Sequence, residues 1–431
     1  MPALHRFNDA VEAAAKWISE HRESLGDGIV LLRDQLGRLH VALPRERVSM
    51  DEEEEHRLDA SFREAIGAFT PPSGSVFVFR DSELAISVFR SEDSHPLEIP
   101  SVRDAKLVDH QLLGQDWTRL PLQREDICKR ATFYGMKGGV GRSTALTILA
   151  LRLASESKNV LVVDLDLESP GLSSLLLPPA KLPEFGLVDW FVEDGVGQAD
   201  ERLIKQMLAS SPLSARAPGK ITIAPAYGNG ETNYIAKLAR AYAPVQHGTN
   251  IENFAQRIGR LLGVLESADR PDIVLIDSRA GLHDIAAVTV TRLGATVFLF
   301  ATNSAQTWSA YNLLFQHWRR YPHILARFRE NLKLVDALVP ETDRAKHLKE
   351  ILQASNKLFS ETIYEEAAAG ELDVFNFDPS DSEAPHYPLR ITWSRRFQEF
   401  DPISEPDLLS TTEIDAAFGD FIRGARILLD V

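Results

Sequence analysis

Ten consecutive residues constrain this chain more than any other feature: Gly135-Met136-Lys137-Gly138-Gly139-Val140-Gly141-Arg142-Ser143-Thr144. They stand between a strand-like run, Ala131–Tyr134, and a helix-like run from Ala145 to Leu153. A strand, a glycine-rich loop and a helix in that order form a cradle for phosphate. Glycine lets backbone N–H groups turn inward and approach phosphate oxygens closely. The helix that follows aims its positive end at the same anion. The Ser143 hydroxyl stands where it can meet the Mg²⁺ that accompanies a nucleotide. Gly135 and Ser143 are read as matching the general pattern G-x-x-x-x-G-K-[ST], but Arg142 occupies the position where that pattern has lysine. A second basic residue, Lys137, lies near the loop's start.

Two carboxylate motifs follow. Leu161-Val162-Val163-Asp164-Leu165-Asp166 ends an apolar run and leads into Leu167-Glu168-Ser169-Pro170-Gly171. Alternation along a strand puts Asp164 and Asp166 on one side. A carboxylate beside Mg²⁺ stays ionised and can orient water. Further on, Ile273-Val274-Leu275-Ile276 ends in Asp277, followed by Ser278-Arg279-Ala280-Gly281-Leu282-His283-Asp284.

The KGGVG string with its early lysine resembles the deviant phosphate loop of the ParA/MinD family of dimerising ATPases. The resemblance runs clearly from about residue 128 to 340. It implies an α/β fold with a doubly wound, mostly parallel sheet and a P-loop NTPase domain. It also implies ATP and Mg²⁺ as ligands. Lys137, Gly138, Gly139, Val140, Gly141, Arg142, Ser143 and Thr144 would contact the nucleotide. In this family the early lysine reaches across a dimer to phosphate in the partner's site, and that role falls on Lys137. Asp166 would lie near the attacking water and the metal, and Asp277 would hold Mg²⁺ through water. Ser143, Asp166 and Asp277 are thus the metal residues, and Lys137 and Asp166 the catalytic ones. The Gly281 N–H would sense the γ-phosphate; Arg279 and His283 are read as partner contacts or solvated side chains, with a catalytic role for either as the alternative. Guanine recognition would predict N-K-x-D; the nearest string, Asn356-Lys357-Leu358-Phe359, lacks the Asp, which favours ATP.

Arg142 is the main departure. Arginine is a planar fork where lysine is a compact charge. It can pair with phosphate oxygens through two bonds, yet it alters the geometry that supports hydrolysis. Slow turnover is the expectation, and a nucleotide-binding scaffold without turnover is the alternative.

The chain has 431 residues, more than one compact domain usually holds. Residues 1–120 read as a small mixed α/β domain outside the resemblance and residues 128–431 as the ATPase domain. In the first part a helix is expected from Phe7 to His21 and strands at Ile29–Leu32, His40–Leu43, Val76–Phe79 and Ala85–Phe89. A second helix is expected from Ser49, with Glu52 completing a capping box. Trp117 to Glu125 reads as a linker. Beyond it, strands are expected at Val160–Val163, Ile221–Ala224, Ile273–Ile276, Thr296–Phe300 and Leu332–Leu338, alternating with helices. A closing helix covers Glu413 to Val431, with Ile414, Phe418, Phe421, Ile422, Ala425 and Leu429 on one face.

One cysteine, Cys128, precludes an internal disulfide and fits a reducing compartment. The opening segment lacks a basic region followed by an apolar run, so no secretion leader and a cytoplasmic location are expected. No stretch approaches the roughly 18 apolar residues of a membrane span. A formal charge of −15 argues against wrapping nucleic acid by bulk electrostatics. His317, Arg319, Arg320, His323, Arg327 and Arg329, interleaved with Trp318, Tyr321 and Phe328, leave open a local DNA-binding patch. An ion-paired helix is the preferred reading of that stretch. The partners expected are a second copy of the chain and an unidentified protein held by the first domain, with no membrane. A DNA partition or positioning ATPase and an accessory ATPase of a bacterial defence system stand as alternatives.

Overall fold

The structure, a computed structural model, describes residues 5–124, 128–215, 217–248, 250–366 and 374–431. It divides into two compact units, Met1–Gln115 and Asp116–Val431.

The first unit is built on five short strands: β1 (Val30–Arg33), β2 (Leu39–Leu43), β3 (Phe77–Phe79), β4 (Ser94–Pro96) and β5 (Lys106–Asp109). Their order is β3-β2-β1-β5-β4, with β1–β2 and β4–β5 antiparallel and the other pairs parallel. Alternation sorts the side chains. Leu31, Val41, Leu43 and Phe77 pack with Trp17 and Ile18 of the helix Phe7–Glu20 and with Phe62 and Ile66 of the helix Glu52–Ile66. Val30, Leu32, Ala42 and Val78 pack with Ala85 and Val88 on the other side.

Two expectations are corrected here. Ala85–Phe89 is part of a helix, Glu83–Phe89, because burial falls on Ala85 and Val88, three residues apart, while Leu84 and Ile86 are exposed. The second helix is capped by Asp51, not Ser49. The Asp51 carboxylate accepts from the N–H groups of Glu53 and Glu54 at 3.1 and 3.3 Å, whereas Ser49 bonds back to the Glu46 carbonyl. A carboxylate at the cap is the stronger acceptor for orphan N–H groups.

The second unit has an eight-stranded sheet. Its strands are β6 (Lys129–Gly135), β7 (Asn159–Asp164), β8 (Ala209–Ser210), β9 (Lys220–Ala224), β12 (Ile273–Asp277), β13 (Thr296–Ala301), β14 (Leu332–Val339) and β15 (Leu389–Thr392). A separate hairpin, β10 (Val245–His247) and β11 (Asn250–Glu252), lies outside it. The order is β15-β14-β13-β6-β12-β7-β9-β8, and only β8–β9 is antiparallel. One face carries Phe133, Val160, Val162, Leu275 and Phe298 against the helices Arg142–Ser155 and Thr411–Leu429. The opposite residues, among them Leu161, Val163, Val274 and Ile276, pack on the helices Leu187–Gly195 and Phe254–Asp269. The fold is thus a doubly wound, mostly parallel α/β sheet preceded by a small mixed α/β unit.

The stretch read as a linker begins inside this second unit. Trp117 is buried against Tyr134 and Trp318, and Asp116 is paired with Arg292; Glu125 lies outside the described residues. All six apolar positions expected on the closing helix are buried. No helix among the described residues is long and apolar enough to cross a membrane.

Candidate functional site

Strand register places the site. β6 lies between β13 and β12, and β12 lies between β6 and β7. Asp277 at the end of β12 is level with Phe133 of β6 and with Asp164 of β7. The three parallel strands therefore deliver the glycine loop, Asp164–Asp166 and Asp277 to one edge. This carboxyl edge, where the connections diverge, is where open α/β sheets bind ligands.

The loop runs from the end of β6 into the helix Arg142–Ser155. Gly139 and Gly141 have φ of +74° and +79°, a region other residues rarely adopt. Gly141 stands at the N-cap, so the helix's first N–H groups open onto the loop. The first position of the general pattern falls on Met136; Gly135 instead ends β6, where a Cβ would meet the Phe300 carbonyl at 3.2 Å.

Arg142 is nearly buried. Its Nη1 donates to the Ser278 carbonyl at 2.6 Å, and its Nη2 lies 3.8 Å from Asp166 Oδ2. Ser143 Oγ donates to Asp277 Oδ2 at 2.7 Å. The Gly281 N–H donates to the Gly135 carbonyl at 3.1 Å. Adjacent loop residues thus hold both downstream motifs. Lys137 Nζ donates to Gln306 Oε1, on the helix after β13.

Asp164, Asp166 and Asp277 meet beneath the loop. Burial pushes the Asp277 carboxyl up to about 6, against the opposing pull of Arg142 and Ser143. Burial also raises Asp166, with Arg142 and Arg279 pulling it back. Asp164 is raised well above the ordinary carboxylate range by burial and by the neighbouring Asp277 and Asp166. Asp166 Oδ1 and Asp277 Oδ1 are buried without a hydrogen-bond partner. Inward-facing acceptors of this kind fit a hard divalent cation. The described residues hold no cluster of three or more His, Cys, Asp or Glu side chains able to bind a metal by themselves. Such a donor set suits Mg²⁺, which keeps several waters and takes few protein carboxylates.

Beside the loop lies a cavity of about 260 Å³, lined by Gly139, Gly141 and Thr144 and by Leu338, Ile391, Trp393 and Phe397. Of these last four, the sequence reading reached only Leu338, as the end of an expected strand. Ile391 sits on a four-residue edge strand whose alternation is too short to stand out, and Trp393 follows directly after it.

Sequence reasoning also missed a cluster around Glu168. Its carboxylate lies 2.8 Å from Arg279 Nη1 and 3.2 Å from His283 Nε2, and it accepts from the Tyr242 hydroxyl. Tyr242 is far away in sequence, so no local pattern links it to Glu168. The basic stretch from His317 is not one helix. It breaks into Ala305–Arg319, Pro322–Leu325 and a final short turn. Trp318, Tyr321 and Phe328 are core residues, Arg329 pairs with Glu365 at 2.8 Å, and Arg319, Arg320, His323 and Arg327 are exposed.

Residues 131–363 match the family model described as the CobQ/CobB/MinD/ParA nucleotide binding domain. No curated protein matches the chain. Among solved structures, the chain is similar to a ParA family ATPase from Chlorobium tepidum, at 14% identity over 69% of this chain and 99% of that one, with a TM-score of 0.44. It is similar to the pNOB8 ParA bound to nonspecific DNA, at 15% identity over 70% and 99% of the two chains, TM-score 0.44. It is also similar to cobyrinic acid a,c-diamide synthase from Mycobacterium smegmatis with bound ADP and magnesium, at 19% identity over 54% and 82%, TM-score 0.38.

Proposed function

The chain belongs to the CobQ/CobB/MinD/ParA nucleotide-binding family, and from that premise we propose that it is an ATP-binding, slowly hydrolysing switch that pairs with a second copy of itself. The observation that carries the reading is the double tie from adjacent loop residues. Arg142 binds the Ser278 carbonyl and approaches Asp166, while Ser143 binds Asp277. A ligand that engages Arg142 and Ser143 competes with both ties and so acts on both downstream motifs at once.

The loop amides from Gly138 to Thr144 hold the phosphates, and the Arg142 fork pairs with their oxygens. Bound Mg²⁺, held by Ser143 and through water by Asp277, would neutralise charge on the phosphates. Asp166 orients the attacking water. The Gly281 N–H, now bonded to Gly135, is the donor available to the terminal phosphate. Lys137 is assigned the neighbouring subunit's phosphate by family resemblance; leaving Gln306 is the movement this requires. The cavity lined by Leu338, Ile391, Trp393 and Phe397 receives the base. Residues 1–120, outside the family match, are assigned to a protein partner, and the site of action to the cytoplasm.

The test is phosphate release from ATP with Mg²⁺, alongside uptake of labelled ATP and measurement of subunit mass. Uptake, slow release that Asp166→Ala abolishes, and doubling of mass with ATP support the reading. Uptake without release leaves a binding scaffold, and no uptake removes the switch altogether.

A further inference from the structure

Arg279 is the one residue between Asp277 and Gly281 whose long charged side chain the mechanism above does not use. Its backbone neighbours are bonded on both sides. The Ser278 N–H donates to Phe133, the Ser278 carbonyl accepts from Arg142, and the Gly281 N–H donates to Gly135. The side chain needs none of these bonds broken to change partner. It is partly exposed, lies 2.8 Å from Glu168 and acts electrostatically on Asp166.

Arg279 faces Glu168 Oε2, and the other oxygen, Oε1, meets two further groups. They are the Tyr242 hydroxyl and His283 Nε2. The Ile285 N–H donates to His283 Nδ1 at 3.4 Å, which leaves the ring proton on Nε2, facing Glu168. If Arg279 leaves, Glu168 Oε1 keeps the Tyr242 hydroxyl and His283 Nε2 while Oε2 gives up its cation, so the exchange requires the new acceptor to outweigh one carboxylate oxygen.

We propose that Arg279 discriminates a nucleoside triphosphate from a diphosphate, exchanging Glu168 for the terminal phosphate. The proposal rests on the nucleotide-switch reading and deepens it. Arg279 ties the segment after β7 to the segment after β12. A terminal phosphate beside Asp166 offers the fork a doubly bonding, more highly charged acceptor than one carboxylate. The exchange cuts the tie between the two segments, and ADP, lacking that group, leaves it in place.

The experiment measures the affinity of the full chain for a β,γ-imido ATP analogue and for ADP, each with Mg²⁺. Wild type is expected to prefer the analogue. Arg279→Ala should reduce that preference on the order of tenfold, the size of one charge-assisted hydrogen bond, with ADP affinity within about twofold. Arg279→Lys keeps charge without the fork and should lose part of the preference. Glu168→Gln removes the competitor and should raise analogue affinity about threefold, as expected for a partly exposed pair. An unchanged preference in Arg279→Ala, or an equal loss for both nucleotides, overturns the proposal while leaving nucleotide binding intact. A Glu168→Gln protein that binds the analogue more weakly overturns it too. If wild type binds neither nucleotide, the switch reading and this inference fall together.

Discussion

Arg142 Nη1 donates to the carbonyl oxygen of Ser278 at 2.6 Å, so the residue in the usual lysine position also braces the segment that follows β12. A lysine stem carries one point charge and has no second nitrogen to offer Asp166 while it holds Ser278.

Arg142→Lys should therefore cost about 1 kcal/mol of stability in urea unfolding, the net worth of one hydrogen bond. Nucleotide affinity should stay within about threefold, since the charge is kept. Phosphate release should speed up. A slower enzyme would mean that Arg142 is the working catalytic cation.

Asp166→Asn removes the carboxylate to which we assign the orienting of water and leaves the loop amides untouched. Phosphate release should fall by about a hundredfold or more, with ATP uptake changed little. A variant that loses uptake and release together would place Asp166 in binding instead.

The Asp277 carboxyl is raised from 3.8 to about 6 by burial. The folded, nucleotide-free protein therefore binds more protons than the unfolded chain between about pH 4 and 6. This residue's contribution to stability is present below that window and lost as pH rises through it. The loss amounts to about 3 kcal/mol at most. Asp277→Asn should flatten this part of the pH profile and stabilise the empty protein at pH 7. It should also abolish the extra stability that ATP with Mg²⁺ confers. Thermal melts from pH 4 to 7.5 decide it; an unflattened profile would assign the proton to Asp164.

Trp393→Ala opens the wall of the cavity beside Gly139 and Gly141. ATP affinity should drop roughly tenfold, as for loss of one aromatic stacking partner. In wild type, nucleotide should quench tryptophan emission. Unchanged affinity would put the base elsewhere.

Arg130 and Glu266 form a doubly bonded pair at 2.5 and 2.7 Å, both almost fully buried. Glu266→Ala strands a buried guanidinium and should cost about 3–5 kcal/mol in urea unfolding. A cost under 1 kcal/mol would mean that water reaches Arg130.

The sheet of the second unit was legible because its strands are buried on both faces and read as unbroken apolar runs, as at Ile273–Ile276. The phosphate loop was legible because its chemistry is local in sequence. Ser49 and Ala85–Phe89 were misread for a different reason: an acidic residue two positions on was the better cap, and a five-residue apolar run carries too little period to separate strand from helix. Trp117 read as linker because its partners, Tyr134 and Trp318, arrive from distant parts of the chain. The Glu168 cluster and the cavity wall at Trp393 were hidden for that same reason. Basic residues near Arg319 looked continuous, yet the aromatics between them face the core and leave no stacking platform.

Three acidic side chains crowd under a loop shaped to welcome an anion. A naked polyphosphate would meet acidic groups from below as well as the amides above. On the proposed reading, a guest travelling with its own positive counterpart suits floor and ceiling together, so anion and cation would be expected to bind as a pair.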